Sequence, residues 1–189
     1  MNSIELAILA YIQARKRFDA GYKKYIALCE SKGNNSVVLS HDIEPFVAMN
    51  EALFWAFSLY EKQDIKAKIK TLNNETIGMM SGLKYIINVM KHCNDVFSLF
   101  SFSHPAFEIS VKVEDINVPV IHDVSIKPSL SFGVLNDDFE KDRINSKRRL
   151  DYVNWLQEKS IPDTMQKLDY VLMELYPCDL WAGLLPTDI

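Results

Sequence analysis

The chain is poor in the residues that mark linkers, disulfide frameworks and metal sites. Its 189 residues include six glycines, seven prolines and three cysteines. Cys29, Cys93 and Cys178 form no Cys-x-x-Cys pair, so we expect neither a zinc ribbon nor a disulfide framework. Sparse thiols of this kind suit a reducing compartment, and we predict a cytoplasmic protein.

Long apolar runs and an excess of positive charge are also missing. The longest strongly apolar run, residues 52–57, is far shorter than the roughly 20 residues of a membrane span, so we predict no membrane partner. Glu5 interrupts the first apolar residues and no basic region precedes them, so no signal peptide is expected. The net charge of -4 gives no overall attraction to nucleic acid, and any RNA contact must therefore be local.

The familiar motifs for cofactors and metals are absent as well. The chain has no glycine-rich phosphate loop, no dinucleotide-binding fingerprint and no Gly-x-Ser-x-Gly turn. Neither His-x-x-x-His nor His-Glu-x-x-His occurs, and His41, His104 and His122 stand alone. We therefore predict a protein without a cofactor and without a metal site.

What is present is helical periodicity. Apolar residues recur at intervals of three and four in five segments, about residues 2–31, 42–63, 75–93, 137–159 and 160–176. In the first segment Arg15 is predicted to point away from the apolar stripe. Ser160 is the expected N-cap of the last helix, with Pro162 in its first turn.

The helical periodicity stops between residues 95 and 135. Within this region, residues 107–114 alternate strictly between apolar and polar side chains. We predict a mainly α fold formed by one domain, residues 1–189: an antiparallel four- or five-helix bundle packed around its second helix. Residues 1–94 supply helices one to three, residues 95–135 a small β hairpin or meander, and residues 136–189 the C-terminal helices.

The candidate functional residues form one polar stripe on the predicted third helix. Lys84, Asn88 and His92 are spaced four apart and therefore share one helix face, and Lys91 lies on the same arc. Metal-independent RNA cleavage needs a proton donor or acceptor and a cation at the phosphate. His92 suits the first role, Lys84 or Lys91 the second, and Asn88 can orient the imidazole. The alternative is an ordinary solvated helix face, with His92 capping the last carbonyls.

These residues also carry a family resemblance. The segment Gly82-Leu83-Lys84-Tyr85, followed by Asn88 and His92, resembles the third-helix motif of bacterial HEPN-like helical proteins (higher eukaryotes and prokaryotes nucleotide-binding). Residues 50–61 resemble the acidic, aromatic-rich second helix of that family, which places Glu51 near the site. The resemblance implies an antiparallel helical bundle, often a homodimer, with the motif facing a groove between subunits.

In active members the resemblance further implies metal-independent RNA cleavage, often in toxin or anti-phage systems. This chain departs from the family pattern at one position, because Ile87 stands where the catalytic pattern has an arginine before the asparagine. Isoleucine cannot stabilise a phosphorane. We therefore predict a binding or interaction module, with RNA or a nucleotide as a candidate partner, and keep an endoribonuclease using His92 as the alternative.

Overall fold

A computed structural model describes residues 2–31, 44–92, 100–103, 129–135 and 146–184, and this part of the chain is mainly helical, as predicted. The helices are α1 (Ser3–Ser31), α2 (Glu44–Tyr60), α3 (Lys66–Ile69), α4 (Asn74–His92), α5 (Ser146–Trp155) and α6 (Ile161–Leu175). Two short 3-10 helices, Gln63–Ile65 and Asp179–Gly183, and two strands, β1 (Phe100–Ser103) and β2 (Ser129–Phe132), complete the elements.

The start of α6 shows how the sequence sets a helix boundary. The Ser160 hydroxyl accepts a hydrogen bond from the Asp163 backbone N–H at 3.3 Å, and Pro162 occupies the first turn. A cap satisfies a donor that the helix itself leaves unpaired, and proline has no donor to leave unpaired. The predicted cap is therefore confirmed. The predicted beginning of the preceding helix, residues 137–145, lies outside the described residues.

The first two long helices run in opposite directions against each other. Gly21 lies so close to α2 that an added Cβ would stand 3.0 Å from the Pro45 Cγ. One turn earlier on α1, Arg17 pairs with Glu51, which is later on α2. Ala48, Ala52 and Ala56 of α2 are completely buried. These small side chains form a narrow ridge that lets neighbouring elements approach closely.

A second antiparallel pair joins α4 and α5. Ser81 donates a hydrogen bond to the Asp151 carboxylate at 2.6 Å, and the rings of Tyr85 and Tyr152 pack with centroids 5.7 Å apart. A Cβ added at Gly82 would lie only 3.0 Å from the Tyr152 Cα and 3.1 Å from its backbone nitrogen. The glycine at position 82 is thus what allows α5 to lie directly on α4.

The strands attach to this second pair. β1 and β2 are antiparallel, with Phe100 opposite Phe132 and Ser103 opposite Ser129. Phe132 exchanges backbone hydrogen bonds with the chain after α5: its N–H donates to the Lys159 carbonyl at 3.0 Å, and the Glu158 N–H donates to its carbonyl at 2.9 Å. Glu158 has a φ of 61°, the left-handed conformation that turns the chain back toward β2.

The strands lie near the two ends of the region in which the sequence predicts a β insertion. The alternating residues 107–114, and the rest of residues 104–128, lie outside the described residues. Within the described part, α2 contacts α1, α4 and α6, which places it among three other helices. None of the described helices has an apolar stretch long enough to cross a membrane.

We predict that Gly82→Val lowers the free energy of unfolding by about 1–3 kcal/mol, because the new side chain would push α5 off α4. Urea unfolding followed by circular dichroism measures the loss. Gly183→Val is the matched control, since a Cβ at Gly183 would meet only the Lys16 Nζ, 3.7 Å away. Equal midpoints for the two variants would show that α5 does not pack directly on Gly82.

Candidate functional site

The polar arc of α4, defined as Lys84, Asn88, Lys91 and His92, begins with a lysine that already has partners. The Lys84 Nζ lies 2.5 Å from the Glu61 carboxylate and 5.2 Å from the centroid of the Phe57 ring. Its side chain is 19% exposed. The chain leaving α2 therefore holds this cation between a carboxylate and an aromatic face, which lowers its capacity to neutralise a phosphate.

The rest of the arc follows on the same helix. Asn88 is half-buried, one turn after Lys84. α4 continues unbroken through Lys91 and His92, whose side chains lie outside the described part of the structure. Because the helix is continuous, the Cα positions of Lys84, Asn88 and His92 lie along one face, as their spacing requires.

Ile87, the residue that departs from the catalytic pattern, faces the core. It is 3% exposed and belongs to the main hydrophobic cluster together with Leu83 and Ile86. The position before Asn88 thus contributes to packing in this chain.

Glu51 has a different neighbourhood from Lys84. Its carboxylate binds Arg17 of α1, and the same arginine lies 3.8 Å from Glu44. Lys84 instead contacts α2 through Phe57 and the residue just beyond the helix, Glu61. The structure brings Glu51 into contact with α1 and does not pair it with Lys84.

A second polar cluster, which the sequence analysis missed, joins α1 to α6. The Tyr11 hydroxyl donates a hydrogen bond to the Asp169 Oδ1 at 2.5 Å, and the Arg15 Nε donates to the Asp169 Oδ2 at 3.1 Å. Arg15 also pairs with Asp19, one turn later on α1. Arg15 is 5% exposed and Asp169 is 7% exposed. A buried ion pair with both carboxylate oxygens occupied therefore crosses the interface between these helices.

The prediction that Arg15 points away from the core is wrong. Its guanidinium lies 5.4 Å from the centroid of the Phe18 ring and is neutralised by Asp169 and Asp19. A signal for this cluster does exist in the sequence. Asp169 lies four residues after Met165 and three before Leu172, so it occupies a core position of an otherwise apolar stripe, where a carboxylate requires a partner.

Desolvation by burial is the largest single influence on the pKa of each group in this cluster. Desolvation raises the pKa of Asp169 to about 6, although Arg15 and the Tyr11 hydroxyl both favour the ionised form. Desolvation, reinforced by the Asp169 charge, raises the pKa of Tyr11 well above its usual value. Burial acts to lower the pKa of Arg15, but Asp169 and Asp19 outweigh it and raise that pKa. Tyrosine and arginine thus remain protonated at neutral pH, and the carboxyl group is the one that titrates.

Tyr11 also contacts the C-terminal 3-10 helix, Asp179–Gly183. The rings of Tyr11 and Trp181 meet edge to face with centroids 6.0 Å apart, and the Trp181 Nε1 donates to the Tyr176 carbonyl at 2.7 Å. The Tyr176 hydroxyl in turn donates to the Leu59 carbonyl of α2 at 2.8 Å. Tyr11 is therefore a junction between α1, α6 and the end of the described chain.

Beside this cluster lies the α1–α6 cleft, a depression of about 260 Å³. Its walls combine charged, aromatic and aliphatic side chains: Arg15, Asp19, Pro162, Asp163, Gln166, Asp169, Tyr170, Met173 and Leu184. Buried charges, a titrating carboxyl and an accessible depression coincide here, a combination typical of functional sites. Among the described residues, no three His, Cys, Asp or Glu side chains are grouped closely enough to hold a metal ion.

Comparison of the chain with family models, with curated proteins and with solved structures finds no match.

The raised pKa of Asp169 predicts an unusual pH dependence. A folded-state pKa above the unfolded value means that the folded state binds the proton more tightly. The contribution of this group to stability is therefore greatest at low pH and falls by about 1–3 kcal/mol as the pH rises from about 4 to 6.

The measurement is urea unfolding of the native chain and of Asp169→Asn between pH 4 and 8. Asparagine does not titrate, so the stability advantage of the native chain over the variant should shrink as the pH rises to 6 and stay level above it. An advantage that grows with pH would mean that Arg15 and Tyr11, not burial, control the carboxyl group.

Proposed function

We propose that this chain is a HEPN-like helical protein that works as a binding or interaction module, in the toxin or anti-phage setting that the resemblance implies. The single observation that carries the proposal is the position of Lys84, held by Glu61 at 2.5 Å above the Phe57 ring. A lysine that is mostly buried and paired can take part in a recognition surface without supplying a free charge to a reaction.

The energetics of RNA cleavage support the same choice. A phosphorane carries extra negative charge that a nuclease must meet with a preorganised cation. To do this, Lys84 would first have to leave its carboxylate partner, and Ile87 offers no charge from its core position. Binding makes no such demand, because a ligand can contact the arc while Lys84 stays paired.

The alternative is a metal-independent endoribonuclease with His92 as general acid or base. It is supported by the unbroken course of α4 through His92, which leaves Asn88 one turn away and able to orient the imidazole. In this alternative Lys91 provides the cation at the phosphate.

The finer architecture belongs to the same proposal. We propose an antiparallel bundle with a β insertion between α4 and α5, assembled as a homodimer. Val47 and Phe54 of α2 support the dimer, because they are 47% and 52% exposed and lie two turns apart on one side of the helix. Two exposed apolar residues on one helix face suit a contact between identical copies.

An RNA assay in a metal chelator separates binding from cleavage. We expect RNA to stay intact with the native chain and with His92→Ala, because Lys84 is paired with Glu61 and Ile87 lies in the core. Denaturing gel electrophoresis of total RNA after incubation shows the outcome. Cleavage by the native chain that disappears in His92→Ala would replace the binding proposal with the nuclease alternative.

The same samples test the arc as an RNA-binding surface by gel shift. Replacing Lys84 and Lys91 together with glutamine should weaken binding several-fold. The matched control replaces Lys23 and Lys66, which are exposed on other elements and remove the same charge. Equal weakening by both pairs, or no binding at all, would remove RNA as the partner.

The dimer is tested by light scattering over a range of protein concentrations. We expect a mass near twice the 21.8 kDa of one chain, and a shift toward the single-chain mass in Phe54→Lys, since a buried lysine would oppose an apolar contact. Leu150→Lys is the control, because Leu150 is an equally exposed apolar residue on α5. A single-chain mass at every concentration would count against the homodimer.

A further inference from the structure

The contact between Lys84 and Glu61 contains the parts of an anion-binding site that the chain fills with its own side chain. The Lys84 Nζ lies 2.5 Å from a Glu61 carboxylate oxygen and 5.2 Å from the centroid of the Phe57 ring. Carboxylate and phosphate oxygens form the same kind of charge-assisted hydrogen bond to an ammonium group. The Glu61 carboxylate therefore occupies the position that a phosphate would take at this lysine.

The Phe57 ring holds the ammonium group in place independently of Glu61. Phe57 is 4% exposed and belongs to the main hydrophobic cluster, so its ring is a fixed surface. The face of the ring attracts the cation without supplying a lone pair. An ammonium group has three N–H donors, so Lys84 can stay on the ring and still donate to an anion after the carboxylate leaves. Lys84 is therefore preorganised for an anion.

Glu61 lies mostly in solvent, whereas Lys84 does not. The Glu61 side chain is 57% exposed, against 19% for Lys84. A surface carboxylate regains its hydration when it leaves an ion pair, and such pairs are weak. The Glu61 backbone is anchored to the end of α2, because its N–H donates to the Phe57 carbonyl at 3.0 Å. Rotation of one side chain is therefore enough to release Lys84, and no helix has to move.

Two other ion pairs show what distinguishes this contact. Lys167 pairs with Glu75, and Arg17 pairs with Glu51. In both pairs each side chain is more than 40% exposed. Lys84 is the one of these three cations that is mostly buried, and it also lies on the α4 arc. Removal of a carboxylate at this position therefore exposes a fixed cation, and at the other two positions it releases a solvated side chain.

From the fixed cation, its exposed carboxylate partner and the place of Lys84 on the arc, we propose that Glu61 is an autoinhibitory contact. Its carboxylate competes with a phosphate group of RNA for Lys84. In the paired state Lys84 gives the arc no free charge, and RNA affinity is low. When a phosphate displaces the carboxylate, Lys84 adds one contact to those of the rest of the arc. This device rests on the binding function proposed for the arc and sets the limit of its affinity.

Fluorescence anisotropy of the full chain with a short fluorescein-labelled single-stranded RNA measures the competition. At about 50 mM NaCl, Glu61→Gln should bind the RNA at least about threefold more tightly than the native chain, because the released Lys84 forms one more charge-assisted contact. Each phosphate contact with a single strand lowers log affinity by roughly 0.7 per unit of log salt concentration. The gain should therefore shrink by about two- to threefold at about 200 mM NaCl.

Two further variants assign the gain to Lys84. Glu75→Gln removes the same charge and releases Lys167, which lies on α6, so RNA affinity should stay within about twofold of the native value. Lys84→Gln added to Glu61→Gln should abolish the gain, because the two residues act through one contact. Circular dichroism of each variant verifies that it is folded.

The outcomes separate the competition from the function of the arc. An equal gain in Glu75→Gln, or a gain that survives the loss of Lys84, would assign the effect to overall charge and overturn the competition. RNA binding by the native chain that Glu61→Gln leaves unchanged would overturn the competition alone. Binding by Glu61→Gln without binding by the native chain would support it, since Glu61 would then close the site. If neither binds, both the competition and RNA as the partner are overturned.

Discussion

The contact among Tyr11, Arg15 and Asp169 decides where α6 lies on α1. The residues it joins are 154 and 158 positions apart in the sequence, and both oxygens of the carboxylate are used. Losing one partner of such a buried pair costs about 3–5 kcal/mol, because the other charge stays buried without compensation. Any shift of α6 along α1 would impose that cost. The contact therefore fixes the register of α6 along α1, which apolar packing alone would not do.

The glycine contact between α4 and α5 has the corresponding role for that pair of helices. With Gly82 against the Tyr152 backbone, the side of α4 that faces α5 is determined. Ile87 then belongs to the core, and Lys84 meets Phe57 and Glu61 near the end of α2. The packing of α4 thus determines which side chains of the polar arc are already paired. The same rotation that buries Ile87 brings Lys84 to a carboxylate.

Local signals predicted the helices, and distant contacts escaped prediction. The Ser160 cap and Pro162 lie within four residues of each other, so the beginning of α6 can be predicted from the local sequence. The spacing of Lys84 and Asn88 likewise requires only a helix. The pairing of Lys84 with Glu61, and of Arg15 with Asp169, depends on which helices become neighbours, and no periodicity encodes that choice. Arg15 was misplaced for this reason, because its burial becomes favourable only when α6 brings a carboxylate to it.

The α1–α6 cleft and the α4 arc differ in the charged side chains that they contain. The α1–α6 cleft is lined by three aspartates and one arginine, so it disfavours a phosphate. On the α4 arc, Glu61 neutralises Lys84, so the remaining positive charge comes from Lys91 and from His92 when protonated. An RNA phosphate therefore prefers the arc to the cleft. Raising the salt concentration should weaken the exposed ion pair of Arg17 with Glu51 more than the buried pair of Arg15 with Asp169, because screening acts most strongly on solvated charges.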